Sequence, residues 1–283
     1  MSIINQMQTY AQKNFEKHQR SFISLKQLKS LAKSTGQSLK ALELLALRNK
    51  ILPERYKRNL DIISLEEQLL LKESSVLLIG LGGLGGHCLD FLLRLGVGSI
   101  LAVDGDKFEE SNLNRQLLCT LGGLNKAKTD AALKHAKKIN QAVDFKVINQ
   151  FLDAGSMYEV MQSQPFDLVI DALGGLKNRM HLQQAATKAK LNVVTGAIAG
   201  FSGYISLVPF IAGEATINPA QFLGTSANIE DKIGTPAPTV AFAASLMLTF
   251  TQEALIKKKK NEALQAQYLI FDLKTQTLEK VKF

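Results

Sequence analysis

SVLLIGLGGLGG, residues 75–86, decides the fold. From Ser75 the chain runs through Val76, Leu77, Leu78 and Ile79, a continuous apolar run suited to a parallel strand covered on both faces. Glycines follow at once, then HCLDFLLRLG, a helix whose end at Gly96 matches a C-terminal glycine stop. With Gly80, Gly82 and Gly85 spaced G-x-G-x-x-G between strand and helix, backbone amides at a helix N-terminus can approach phosphate unobstructed by side chains. Nineteen residues past Gly85, at the end of a second strand signal SILAVD (99–104), Asp104 stands where a carboxylate accepts hydrogen bonds from ribose hydroxyls.

On the C-terminal side strand and helix signals keep alternating. A helix is expected over about 126–139, a strand at DFKVINQ (144–150), a helix near 156–162, a strand at DLVIDAL (167–173), a helix over about 178–190 and a strand at NVVTGAI (192–198). That rhythm specifies an α/β fold with an open, doubly wound, Rossmann-like and mostly parallel sheet. The link from Ala199 to Ser202 is too short for a crossover, so GYISLVPF (203–210) is expected antiparallel. Residues 211–238 show little periodicity and read as a long loop, functional or mobile. The chain closes with an apolar helix over about 240–256, whose C-terminal end Lys257 to Lys260 cap, and a hairpin of YLIFDL and TLEKVKF.

On the N-terminal side, residues 24–49 form two short amphipathic helices broken at Thr35, Gly36 and Gln37, with Leu25, Leu28, Leu31 and then Leu39, Leu42, Leu45 on their apolar faces. Pro53 ends this small helical unit. No third helix is evident, so a helical pair packed on its own protein is the commoner reading than a helix-turn-helix.

The 283 residues allow one large domain with an appendage, divided here at 1–53 and 54–283. Their composition, 46% hydrophobic and 21% charged, excludes a disordered or collagen-like chain. No run reaches the ~18 consecutive apolar residues of a membrane helix, and the N-terminus has scattered charges without an apolar block, so a cytoplasmic location and no membrane partner are expected. Cys88 and Cys119 form no C-x-x-C pair, and His18, His87, His135 and His181 have no ligand spacing, so no zinc is expected. Cys88 reads as core and Cys119 as a buried structural thiol. The net charge of +9 sits wholly in residues 1–60, which hold 12 Lys and Arg against 3 acids, while the remainder balances at 22 and 22. Such a block can face nucleic acid; a solvated helical face is the commoner reading.

Past Asp104 the sequence stops fitting a nicotinamide or flavin enzyme. Asp104 and Asp106 run on through Glu109 and Glu110 into SNLNRQ (111–116), and Lys128 lies 13 positions beyond Arg115. Acids near a ribose followed by a guanidinium and an ammonium suit a polyphosphate whose charge must be neutralised. With RYKRN (55–59) upstream, these motifs fall in the order of the MoeB/ThiF/HesA family, bacterial relatives of the ubiquitin-activating enzymes, which the chain closely resembles from Arg55 to Phe283.

The resemblance implies ATP-dependent adenylation, with Mg2+, of the C-terminal glycine carboxylate of a small ubiquitin-like sulfur carrier ending in Gly-Gly, with release of pyrophosphate, in sulfur transfer for a molybdenum or tungsten pterin or for thiazole. By the same resemblance Gly80, Gly82 and Gly85 approach the nucleotide, and Asp104 holds ribose. Asn112, Arg115, Gln116 and Lys128 bind phosphates, and Arg58 reaches in from the other subunit of a homodimer. Asp106 and Asp171 complete the nucleotide site, Asp171 as a candidate Mg2+ ligand. Carboxylate attack on the α-phosphorus needs no strong base, because the nucleophile is ionised near neutral pH, but it needs the cations.

The chain also departs from the family. Many members carry a second, magnesium-placing aspartate three residues after the first; here that position is Gly174, which offers no side-chain ligand. That departure keeps open a non-catalytic, carrier-binding relative, and the basic first sixty residues keep open the branch that modifies transfer RNA. The 211–238 loop contains no cysteine, so adenylation without covalent transfer at that site is expected. Thr195 to Gly200 can either let an extended peptide pass or form a tight strand-to-strand turn.

Overall fold

A computed structural model describes residues 2–18, 21–212 and 233–281; most of the 211–238 loop lies outside the described residues. The first unit comprises α1 (Ile3–His18), α2 (Leu25–Thr35) and α3 (Leu39–Arg48), with a two-residue parallel pairing of β1 (Phe22–Ile23) and β2 (Leu52–Pro53). Ser24 and Ser38 cap α2 and α3, and Gly36 ends α2 at φ 71° in the left-handed region that glycine alone enters cheaply. The third helix missed by the sequence reading is α1, which lays Met7 and Ala11 against Leu28, Leu31, Leu42 and Ala46. Leu25 is corrected too: at the first turn of α2 it is 41% exposed, whereas Leu28 and Leu31 are buried.

A 3-10 turn, Glu54–Asn59, and α4 (Leu65–Glu73) lead into the sheet. Its elements in chain order are β3 (Ser75–Ile79), α5 (Gly83–Leu95), β4 (Ser99–Val103), α6 (Lys128–Ile139), β5 (Asp144–Ile148), α7 (Ala154–Gln162), β6 (Leu168–Asp171), α8 (Leu176–Ala189), β7 (Val193–Ala199), β8 (Ser202–Val208), α9 (Ala237–Lys259), β9 (Gln267–Asp272) and β10 (Thr277–Val281). The strand order is β10-β9-β8-β7-β6-β3-β4-β5, parallel from β7 to β5 and antiparallel from β7 to β10, as the short link after Ala199 requires. One face is covered by α5, α6 and α9, which bury Leu89, Leu92, Ala132, Ala244 and Met247; the other by α7 and α8 through Met157, Val160, Leu182 and Ala186.

α9 is long and apolar enough to cross a membrane by length and composition, yet 56% of its most apolar window is buried inside the fold, where it serves as a core helix. Gly196 shows how closely it packs: a Cβ there would come within 2.7 Å of Ile205 and 3.0 Å of Met247. Together with the turn at Gly200 (φ 59°), this shows strand pairing and a tight turn over Thr195–Gly200.

Because the chain winds outward from β3 through β4 to β5 and then returns to β6 on β3's other side, the carboxyl ends of β3, β4 and β6 open a crevice. In such sheets ligands bind there.

Candidate active site

Two adjoining cavities occupy this crevice. The smaller, about 150 Å³, lies over Gly80, Asp104, Gly105 and Asp106, with Phe151 and Leu173 on its walls. The larger, about 520 Å³, is bounded by Ser111, Asn114, Arg115, Gln116, Arg179, Ile198, Thr235 and Val240. Gly82, Asp106, Lys128 and Gly174 line both, so they are continuous parts of one site.

The three glycines serve different ends. Gly80 sits at φ 97°, and a Cβ there would strike the Ala172 carbonyl just past β6, while a Cβ at Gly85 would overlap the Gly80 carbonyl oxygen, so both are demanded by close backbone packing. Gly82 meets nothing nearer than Gln116 Nε2 at 3.9 Å. The fold leaves room for a side chain at Gly82, and a Cβ there would take space from both cavities.

Asp104 is fixed by backbone donors: Leu81 N–H to Oδ2 at 2.6 Å and Asp106 N–H to Oδ1 at 2.8 Å. Burial pushes its carboxyl above the usual carboxylate value, against the pull of Lys128 and these N–H groups. Lys128, buried at the N-terminus of α6, reaches across to Asp106 Oδ2 at 2.9 Å. Among the described residues Arg115 donates only to neutral oxygens, Ser111 O at 2.9 Å and Asn114 Oδ1 at 2.8 Å. Gln116 is buried, and among the described residues nothing bonds to its Oε1, an orphaned acceptor on the cavity wall.

Two expected residues fall elsewhere, and a third, Arg58, was expected only at a partner's site. Asn112 turns inward: its Oδ1 accepts the Glu109 N–H at 3.1 Å and caps a short 3-10 turn, so Ser111 and Asn114, not Asn112, face the cavity. Asp171 is fully buried beneath the site, accepting from Thr195 Oγ1 at 2.7 Å, Arg179 at 3.3 Å and the Leu173 N–H at 3.1 Å. Its oxygens are committed to these donors, which corrects its reading as a cation ligand. Arg58, exposed on the Glu54–Asn59 turn, does not line either cavity of its own chain.

Sequence reasoning also missed two wall residues. Arg179 carries a cation one turn into α8, and its only signal is a basic residue just past a strand's carboxyl end. Phe151, 71% exposed, offers a flat apolar wall for a base, and Gly105 is glycine because a Cβ would strike it. Of the cysteines, Cys88 is core, its thiol raised by burial; Cys119 is half-buried, not buried as expected, and its thiol is also raised by burial.

A cleft of this shape at a strand-order reversal, cationic at one end and apolar at the other, accompanies a sequence profile match over residues 56–283. The chain belongs to the ThiF family. This ThiF-family chain is 33% identical over 165 residues to the sulfur carrier protein adenylyltransferase of Thermus thermophilus, covering 57% of this chain and 60% of that protein. It is 31% identical over 179 residues to the probable molybdopterin-synthase adenylyltransferase of Porphyra purpurea, covering 62% of this chain and 46% of that one. The chain thus spans about half to three fifths of the length of these relatives. Among solved structures, Escherichia coli MccB with ATP superposes with a TM-score of 0.66 at 19% identity, covering 80% of this chain and 70% of that one, a likeness of fold.

Proposed function

We propose that this chain binds ATP and adenylates the C-terminal glycine carboxylate of a small ubiquitin-like sulfur-carrier protein. The observation that carries the reading is the set of cations on the larger cavity, Arg115, Lys128 and Arg179, beside which Asp106 is the one lining acid among the described residues. The smaller cavity takes adenosine, with the base against Phe151 and ribose on Asp104, and Gly82 lets the phosphates pass to the cations. A carboxylate oxygen attacks the α-phosphorus, the new P–O bond forms as the bond to the bridging oxygen breaks, and pyrophosphate leaves with that electron pair. Arg115 and Lys128 offset the repulsion between nucleophile and phosphate and stabilise the leaving group.

The same reading makes the working unit a homodimer with Arg58 acting on the partner's site, treats residues 1–53 as an appendage to an adenylation domain of 54–283, and carries with it a cytoplasmic location. Four of the twelve basic residues of the N-terminal block are engaged within the chain: Lys40 donates to Ser99, Arg48 pairs with Glu73, Arg55 with Glu43, and Lys57 lies 4.7 Å over the Phe22 ring.

ATP–pyrophosphate exchange with the purified protein and each diglycine-ended small protein of the same genome is the test. Carrier-dependent exchange is expected. ATP binding without exchange for any carrier would overturn the catalytic reading in favour of a carrier-binding relative.

A further inference from the structure

The Mg2+ that the resemblance implies finds a poor set of donors here. Magnesium is usually held by one or two protein carboxylates together with substrate phosphates. Among the described residues, both Asp104 oxygens accept backbone N–H groups, and Asp171 is buried under Arg179 and Thr195. The one remaining acid on the cavity among the described residues, Asp106, is paired with Lys128 at 2.9 Å. Position 174, on the wall of both cavities, carries no side chain. What the site supplies in place of acids is cations. Arg179, although only 3% exposed, lines the larger cavity, and its Asp171 partner fixes the guanidinium so that it needs no reorganisation to meet an anion.

We propose that the nucleotide phosphates in this site are met by Arg115, which rests on neutral oxygens, and by Lys128 and Arg179, which they share with Asp106 and Asp171, and not by a protein-held divalent cation. The inference rests on the ATP reading above and assigns Arg179 as a phosphate-binding residue. Loss of the acid at position 174 and use of a buried guanidinium are two sides of one charge balance. An added carboxylate at 174 without metal would repel the phosphates that Arg179 attracts.

Direct ATP binding by the full-length protein, measured by calorimetry in excess Mg2+ and in excess EDTA, tests this. ATP is expected to bind at least as tightly in EDTA, since the metal-free nucleotide carries more negative charge to the three cations. Binding more than about tenfold weaker in EDTA would overturn the proposal while leaving the ATP reading intact. Binding in neither condition would overturn both. Gly174→Asp, at a position without positive φ, is expected to weaken binding in EDTA by about tenfold and to regain it with Mg2+; indifference to the metal would overturn the charge balance. A folded Arg179→Gln is expected to lose about tenfold in affinity in EDTA, with Arg179→Lys losing less. Parental affinity in Arg179→Gln would reduce Arg179 to a strut for Asp171 and overturn its assignment.

Discussion

Two clusters of charge in this molecule handle their cations differently. At the seam between the helical unit and the sheet, fully buried Glu43 is ion-paired with Lys72 at 2.6 Å and Arg55 at 3.2 Å and accepts from the Tyr56 hydroxyl at 3.1 Å. The surplus positive charge is absorbed by neutral oxygens: Lys72 donates to the Ala142 carbonyl at 2.7 Å, and Arg55 to the Asn140 side chain, which itself donates to Tyr56 and to Leu93 O. Burial holds the Lys72 ammonium below its ordinary value, Glu43 pulling it back up. The network closes on the chain itself. At the crevice, where Lys128 pairs with Asp106 and Arg179 with Asp171, the cation left over faces open space: Arg115 rests on two neutral oxygens beside a cavity of about 520 Å³. A closed surplus is structure, and an open one is a binding site for an external anion.

The largest expected effect comes from pressing this contrast within the glycine motif. Gly85→Ala should cost more than about 4 kcal/mol, because its Cβ displaces backbone. Gly82→Ala should leave stability within about 1 kcal/mol and instead weaken ATP binding; urea unfolding with calorimetry on both variants checks the pair, and a destabilised Gly82→Ala would merge the two roles. Next, Glu43→Ala strands the buried Lys72 and should cost about 3–5 kcal/mol in urea unfolding without a direct effect on nucleotide affinity of the folded protein. Its counterpart Lys128→Met should weaken ATP binding by about 10–100-fold while changing stability by under about 1 kcal/mol. If Lys128→Met unfolds the protein with Glu43→Ala-like severity, the distinction between closed and open clusters fails.

The smallest effect concerns Asp90, a half-closed case on α5. Burial works to raise its carboxyl, and hydrogen bonds from His135 at 2.8 Å and Arg94 at 2.7 Å overcome that and hold it below its ordinary value of 3.8. The folded state therefore binds this proton less readily than the unfolded chain. The contact's stabilisation is present above about pH 4 and drains away as pH falls through the depressed value. Thermal unfolding of Asp90→Asn should show a flatter acid limb than the parent, and parallel limbs would contradict it.

What was legible follows from what each residue can announce by itself. The apolar run at Val76–Ile79, the glycines and the short link after Ala199 fix local geometry, and the doubly wound sheet with its antiparallel edge followed from them. α1 was passed over because its apolar positions, Met7 and Ala11 among them, are diluted by polar neighbours, and only packing against α2 and α3 gives them a face. In the site, motif membership named Arg115, Gln116 and Lys128 but carried no information on side-chain direction. Asn112 is the motif residue that turns to cap a backbone turn, and Asp171 is the strand-end acid that turns beneath the sheet's edge. Arg179 was silent because a buried arginine becomes intelligible only with its carboxylate partner in view.

One feature of the core bears on how the chain is made. α9 begins at Ala237, late in the sequence, yet it supplies Ala243, Ala244, Met247, Leu248 and Leu255 to the apolar cluster that also holds Leu89 and Leu92 of α5. A ribosome emitting this chain therefore releases β3 to β8 well before the last of the three helices that cover one of their faces, leaving part of that face sticky until residue 259 has emerged. Nascent chains stalled before α9 should be clients of chaperones, whereas those stalled past it should already resist protease.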